Sequence, residues 1–306
     1  MEYVIILLRQ ILMMAILSAC GFLLFKAKKI TPEGSRTIAN ILIYISLPCV
    51  IVNSFLVERT KEKLLALAIS AGAAAVLLGV SIVVSRLVFR KDPIATFACS
   101  FSNPGFFGIP LIMGVLSGEA VFYVAAFIAF LNLLQWSYGV SLLTGEKASG
   151  LPKKIVTAPF MIATAVGLLF FFTQWKVPQV VGTALGYLSG VNTPLAMFTI
   201  GIYLAQADVR KMITDKRLYL AALIRLIVIP AASLGLLSLL PETLFEMKLA
   251  LLICAACPVG SNVAVYAQLH NKDHRYAVQT IVVSTVLSVA TIPALVRLAL
   301  ILWHVS

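Results

Sequence analysis

The chain has 306 residues, 61% of them hydrophobic and 12% charged, with a formal charge of +12 and a mean hydropathy of +1.02. So few charges cannot cover the surface of a soluble domain of this length, which makes the chain an integral membrane protein. Its apolar runs are continuous and far longer than the alternating segments of a barrel, so the fold class is all-α, with every backbone hydrogen bond satisfied inside helices.

In chain order, ten stretches are long enough to cross the hydrocarbon core: 4–25, 36–57, 64–89, 94–116, 119–143, 155–174, 178–206, 216–240, 246–269 and 275–303. The first, in MEYVIILLRQILMMAILSACGFLLF, starts acidic and runs on for a full span, so it reads as a permanent helix and not as a cleavable signal. Counted with the adjoining helix ends, the connections after spans 1, 3, 5, 7 and 9 hold 4, 3, 3, 4 and 2 lysines and arginines. Those after spans 2, 4, 6 and 8 hold 3, 0, 1 and 1. The positive-inside rule therefore predicts a multi-pass protein of the cell membrane with both termini extracytoplasmic, and reads the basic clusters as topology signals, with no nucleic acid as partner. No soluble domain is expected, because the longest connections, near 26–39 and 144–154, are short and basic.

The two halves echo each other. Span 2 carries SLPCVIVNS around Pro48 and span 7 carries NTPLAMFTIG around Pro194, while span 4 carries NPGFFGIP and span 9 carries CPVGSNVAVYAQ. Five spans per half insert with opposite orientation, so residues 1–150 and 151–306 are expected to form two inverted five-helix repeats. Paired Gly/Pro-interrupted spans at corresponding positions point to a carrier's binding site near the midplane.

Pro104, Pro110 and Pro258 each lack an amide hydrogen and clash with the carbonyl four residues back, which predicts breaks in spans 4 and 9. At 1.5 Å per residue these breaks fall roughly 14–24 Å into the bilayer, close to its middle. Non-helical backbone survives at that depth only when it is buried in protein or lines a cavity. Each break also creates a half-helix whose first amides carry a partial positive charge, and Gly105, Gly108, Gly260 and Ser261 leave room for close approach. The pair suits an anion. Asn103 and Asn262 can bind a carboxylate or cap the new half-helices. Asn132 and Gln135 on span 5 and Gln279 on span 10 read either as cavity lining or as polar glue between helices.

The remaining polar patterns speak less directly to function. All 12 acidic residues lie in or near loops, so a coupling ion would have to be held by amides, hydroxyls and carbonyls. Arg225 lies about 13 Å into span 8 by helical rise and is expected to snorkel to the cytoplasmic face or to make a structural pairing. Cys254-x-x-Cys257 has redox spacing but sits in an apolar span, and His270 with His274 reads as a solvated basic loop before a metal site. No metal or cofactor is expected.

The runs GFLLFKAKKITPEGSRTIANILIYISLPCVIVNSF, NPGFFGIPL, NTPLAMFTIGIYLA, CPVGSNVAVYAQ and STVLSVATIPAL together resemble the auxin efflux carrier family, across nearly the whole chain. That family holds plant PIN-type carriers and bacterial permeases such as malonate carriers, within the broader bile acid, arsenite and riboflavin carrier superfamily. The resemblance implies a scaffold of spans 1, 2, 6 and 7 that dimerises. It also implies a transport domain of spans 3–5 and 8–10, whose helices 4 and 9 cross at Asn103, Pro104, Pro110, Pro258 and Asn262. The short central loop departs from plant members with a large hydrophilic one. The function expected is secondary transport of a small organic anion, a carboxylate, by alternating access, with no enzymatic activity. The alternatives are a sodium-coupled symporter of the bile acid carrier type and a membrane thiol oxidoreductase using Cys254 and Cys257.

Overall fold

The computed structural model describes residues 2–145, 157–207, 212 and 214–304. The boundary expected at 150/151 and most of the 144–154 connection lie outside the described residues. Apart from a 3-10 turn at Glu242–Leu244, twelve helices follow in order among the described residues: α1 (Glu2–Lys26), α2 (Pro32–Ser54), α3 (Lys61–Val88), α4 (Pro93–Ser100), α5 (Pro104–Val115), α6 (Val121–Thr144), α7 (Pro159–Thr173), α8 (Gln179–Gln206), α9 (Lys216–Leu237), α10 (Phe245–Ala256), α11 (Asn262–Leu269) and α12 (His274–Leu302). The only strand-like pairing among them is one antiparallel bridge, Ser102 with Val259. The fold is all-helical.

Seven of these, α1, α2, α3, α6, α8, α9 and α12, are long and apolar enough to cross a membrane. The stretches read as spans 4, 6 and 9 contain only shorter helices: α4 with α5, α7, and α10 with α11. In α2 the helix begins at Pro32, ahead of the expected start at 36, because Thr31 accepts a hydrogen bond from the Gly34 amide and Pro32 occupies the first turn.

Proline shapes the interior of these helices. Widened π-helical turns cover Leu42–Ser46, Pro104–Gly108 and Ile224–Val228, and each is followed within two residues by Pro48, Pro110 or Pro230. The extra residue in the turn moves the carbonyl that the proline ring would strike. A fourth such turn, Gln135–Gly139 in α6, has no proline and carries Gln135 instead.

The helices pack in two sets. In one, α1 runs along the second half of α8, while α2 packs on α7 and on the first half of α8. In the other, α3 packs on α4, α6 and α9, and α10 packs on α6, α9 and α12. Gly21 and Gly201 let the α1 and α8 backbones touch, since a Cβ on Gly21 would meet the backbone of Phe198 and one on Gly201 the carbonyl of Ser18. An aromatic cluster joins the sets: Phe55, just past α2, meets Phe122 of α6 at 5.1 Å, and Phe122 meets Phe171 of α7 at 5.0 Å. The outer faces carry exposed Leu12, Leu23, Val83 and Ile301, as a surface solvated by lipid requires.

The glycine contact gives a direct check. Gly201→Val should destabilise the protein by about 1–3 kcal/mol, because backbone on α1 cannot yield to a side chain. Gly186→Ala, with open space around it, should leave the thermal midpoint unchanged or slightly raised, both being read by thermal unfolding in one detergent.

Candidate functional site

α4 ends at Ser100, and Phe101 leaves it in extended conformation, so the chain crosses the break as Phe101–Ser102–Asn103 before Pro104 opens α5. α10 ends at Ala256, and Cys257–Pro258–Val259–Gly260 carries the chain to α11. The two extended segments lie side by side and antiparallel. The Asn103 amide donates to the Pro258 carbonyl at 2.9 Å, and the Gly260 amide to the Phe101 carbonyl at 3.0 Å. The Ser284 hydroxyl of α12 accepts from the Val259 amide at 3.0 Å. Each break thus supplies hydrogen bonds that the other lost with its helix, the condition for irregular backbone inside a membrane protein.

Arg225 takes the second of its two expected roles, a structural pairing. It does not snorkel: it is 1% exposed, and its guanidinium donates to the carbonyls of Cys99 at 3.0 Å, Cys257 at 3.2 Å, and Ala255. Those carbonyls belong to the C-terminal ends of α4 and α10, where the helix dipoles are negative. One cation therefore caps both helices that end at the breaks. Among the described residues, no carboxylate pairs with it.

The opposite ends are less occupied. At the start of α5 the Asn103 side chain accepts from the Phe106 amide at 3.2 Å, so Asn103 acts as the cap. The backbone amides of Gly105, Ser261 and Asn262 make no hydrogen bond among the described residues. The Asn262 side chain does not cap α11; its side-chain amide donates to the Gln135 side chain at 2.8 Å, tying α11 to the π-helical turn of α6. The half-helix N-termini keep free donors while the C-termini are neutralised. This combination favours an anion.

The glycines fit the crossing. A Cβ on Gly260 would lie 2.7 Å from the Ser102 carbonyl oxygen, and one on Gly108 would lie 3.1 Å from the Cys257 sulfur and 3.7 Å from that of Cys254. Gly105 has room, with only Leu47 of α2 at 3.6 Å. Pro110 lends its carbonyl to Gln10 of α1 at 2.8 Å. The other candidates sit apart from the crossing. Asn132 donates back to the Ile128 carbonyl of its own helix at 2.8 Å. Gln279 lines a cavity of about 330 Å³ with Thr214, Asp215 and Tyr276, none of them break residues.

Sequence reasoning left out four polar residues near this region. The sequence leaves the acceptors of Arg225 unassigned, and it sets Ser284 only near the middle of span 10. The Ser102 hydroxyl is buried with no partner among the described residues. The same holds for the side-chain amide of Asn192, at the interruption of α8. The second half of α8 packs on the Pro104–Gly108 turn. Serine at an extended crossing and asparagine two residues before Pro194 were the available signals. Cys99, Cys254 and Cys257 are buried and unbridged. His274 Nδ1 lies 3.0 Å from the Ala264 carbonyl, and no cluster that could hold a metal occurs among the described residues.

An all-helical, multi-pass membrane protein with two crossed backbone breaks is the class that the fold and site define. The chain belongs to the membrane transport protein family, whose model matches residues 4–154 and 148–296, and is thereby a membrane transporter. This bears out the resemblance to the auxin efflux carriers. It is 28% identical over 201 residues to an uncharacterized transporter of Methanothermobacter thermautotrophicus, an alignment spanning 65% of each chain, just under two thirds of that relative's length. It is 25% identical over 288 residues, 87% of each chain, to a Rhizobium meliloti protein provisionally named a malonate transporter. An uncharacterized transporter of Methanocaldococcus jannaschii is 24% identical over 277 residues, 85% of this chain and 88% of that one.

The crossing predicts a sharp contrast between two glycines. Gly260→Ala should push the two extended segments apart and cost about 1–3 kcal/mol, whereas Gly105→Ala should leave the thermal midpoint near that of the parent. Equal midpoints for the two variants would mean that the segments do not touch at Gly260.

Proposed function

We propose that this chain is a secondary active transporter that moves a small organic anion, a carboxylate, across the cell membrane by alternating access. The observation that carries the reading is a buried arginine at the crossing with no acidic partner among the described residues, together with half-helix backbone amides that have no partner among them. Such a site is electropositive in a region where charge is poorly screened, and an anion relieves it. The relative named for malonate supports a carboxylate, and a dicarboxylate in particular.

In this reading the ligand lies between the starts of α5 and α11. The Gly105, Ser261 and Asn262 amides receive one carboxylate, with Ser102 and the Asn262–Gln135 pair at its edge. Asn103, Pro104, Gly108, Pro110, Pro258 and Gly260 shape the backbone that presents those donors. Asn132 and Gln279 have places farther along the pathway. The chain forms ten spans in two inverted repeats, with the extracytoplasmic termini that its loop charges favour. The scaffold is α1, α2, α7 and α8, the face through which two copies would pair, and the remaining helices move against it. Packing that is denser within each set of helices than between them supports that division.

Charge recognition can be measured directly. Malonate should bind more tightly than its neutral diamide by roughly 10- to 100-fold, equivalent to about 1.4–2.8 kcal/mol. Arg225→Gln should shrink that ratio towards unity, because the glutamine removes the buried charge. Ligand-dependent thermal stabilisation of folded variants reads both quantities. A parent protein that binds acid and diamide equally would sink the proposal, and an undiminished ratio in Arg225→Gln would assign the field to the half-helices alone.

A further inference from the structure

Away from the crossing, three helices begin side by side, each capped by an aspartate. Asp92 accepts from the Ala95 amide at 2.9 Å, Asp215 from the Arg217 amide at 3.0 Å and Asp273 from the Tyr276 amide at 3.0 Å, at the starts of α4, α9 and α12. Between these starts and the end of α3 opens a cavity of about 790 Å³. The smaller cavity that Gln279 lines shares Arg217, Asp273 and Tyr276 with it and adds Arg275.

The walls of the larger cavity differ in kind. One is basic, formed by Arg90, Lys91, Arg217 and Lys272. Arg217 is already engaged, paired with Asp215 at 2.8 Å and lying 4.7 Å above the Tyr276 ring. Its hydrogen bonds hold the Asp215 carboxyl below the usual carboxylate range. Arg90, Lys91 and Lys272 make no ion pair among the described residues, and all three are exposed. Three helix N-termini add their positive ends to this group, partly offset by their own aspartate caps. The other wall is apolar. Leu87 and Val88 at the end of α3 and Leu220 of α9 are 60%, 43% and 44% exposed, on helices whose outer faces meet lipid.

Tyr276 marks the floor. It is 4% exposed and lines both cavities, and its hydroxyl has no hydrogen-bond partner among the described residues. A buried hydroxyl without a partner carries a cost that an incoming acceptor removes. A phosphate oxygen beside the lysines is such an acceptor.

We propose that this cavity binds the phosphate of an anionic phospholipid, held by Arg90, Lys91, Lys272 and the Tyr276 hydroxyl, with its acyl chains along Leu87, Val88 and Leu220. Free phosphate shares the head-group chemistry but makes no use of the apolar wall, whereas a lipid uses both. Basic pockets at the ends of membrane helices are suited to such head groups. The site is separate from the crossing, and the three helices that start at it, α4, α9 and α12, reach the crossing through Cys99, Arg225 and Ser284.

The test uses the full chain in phosphatidylcholine nanodiscs, with thermal midpoint as the readout. Phosphatidylglycerol should raise the midpoint; inorganic phosphate at the same concentration should not. Lys91→Gln/Lys272→Gln should require at least tenfold more phosphatidylglycerol for the same shift, while Lys28→Gln/Lys29→Gln, which removes two exposed lysines elsewhere, should respond like the parent. Because the substituted lysines are exposed, each variant's midpoint in phosphatidylcholine alone reports folding. No shift with phosphatidylglycerol, or an equal loss in both double variants, would overturn the proposal. An equal shift with inorganic phosphate would make this a free-anion site and overturn the lipid assignment.

Discussion

One guanidinium sets the terms for the rest of the molecule. Removing an arginine from water is costly, and inside a membrane protein it is tolerated only where the group is well satisfied. Arg225 meets that condition with the carbonyls of Cys99, Ala255 and Cys257, which are available only because α4 and α10 both stop at the same place. The breaks and the arginine therefore depend on each other. Without the cation, two helix C-termini would face one another with their carbonyls open. Without the breaks, the cation would have no acceptors.

The same arrangement divides the polarity of the crossing. Its negative helix ends are covered by Arg225, and its positive ends at α5 and α11 keep donors with no partner among the described residues. The antiparallel contact of Ser102 with Val259 ties the breaks together, and Ser284 extends the tie to α12. α4, α5, α9, α10 and α12 thus meet through one hydrogen-bonded centre, and the Asn262–Gln135 bond adds α6 and α11. By contrast, α1 meets α8 through glycine-mediated backbone contact and α2 meets α7 through apolar packing, with few polar links to the crossing beyond Gln10 and Pro110.

Much of this was legible in the sequence because proline and glycine act locally. Pro104 and Pro258 follow the ends of α4 and α10, so the breaks could be read from NPGFFGIP and CPVGSNVAV alone, whereas Pro110 lies within the continuous α5 and shows only as a widened turn before it. The capping role open to Asn103 was likewise a local matter. Arg225 was not legible in the same way. Its acceptors lie 30, 32 and 126 residues from it, on two helices whose crossing no local pattern specifies. A deep arginine without an acidic neighbour is compatible with snorkelling until the helix is oriented. The partner of the Asn262 side chain was not legible for a similar reason: Gln135 belongs to the other half of the chain. The seven long helices followed from hydropathy, whereas hydropathy does not show the interruption of α8 at Val191, whose only sequence marks are Asn192 and Pro194.

The account stands on where an anion would sit, and a structure of the full chain with malonate tests that most directly. The account predicts a carboxylate within hydrogen-bond distance of the Gly105, Ser261 or Asn262 amides, with Arg225 still bound to the carbonyls of α4 and α10. Malonate bound elsewhere, with those amides unengaged, would contradict it.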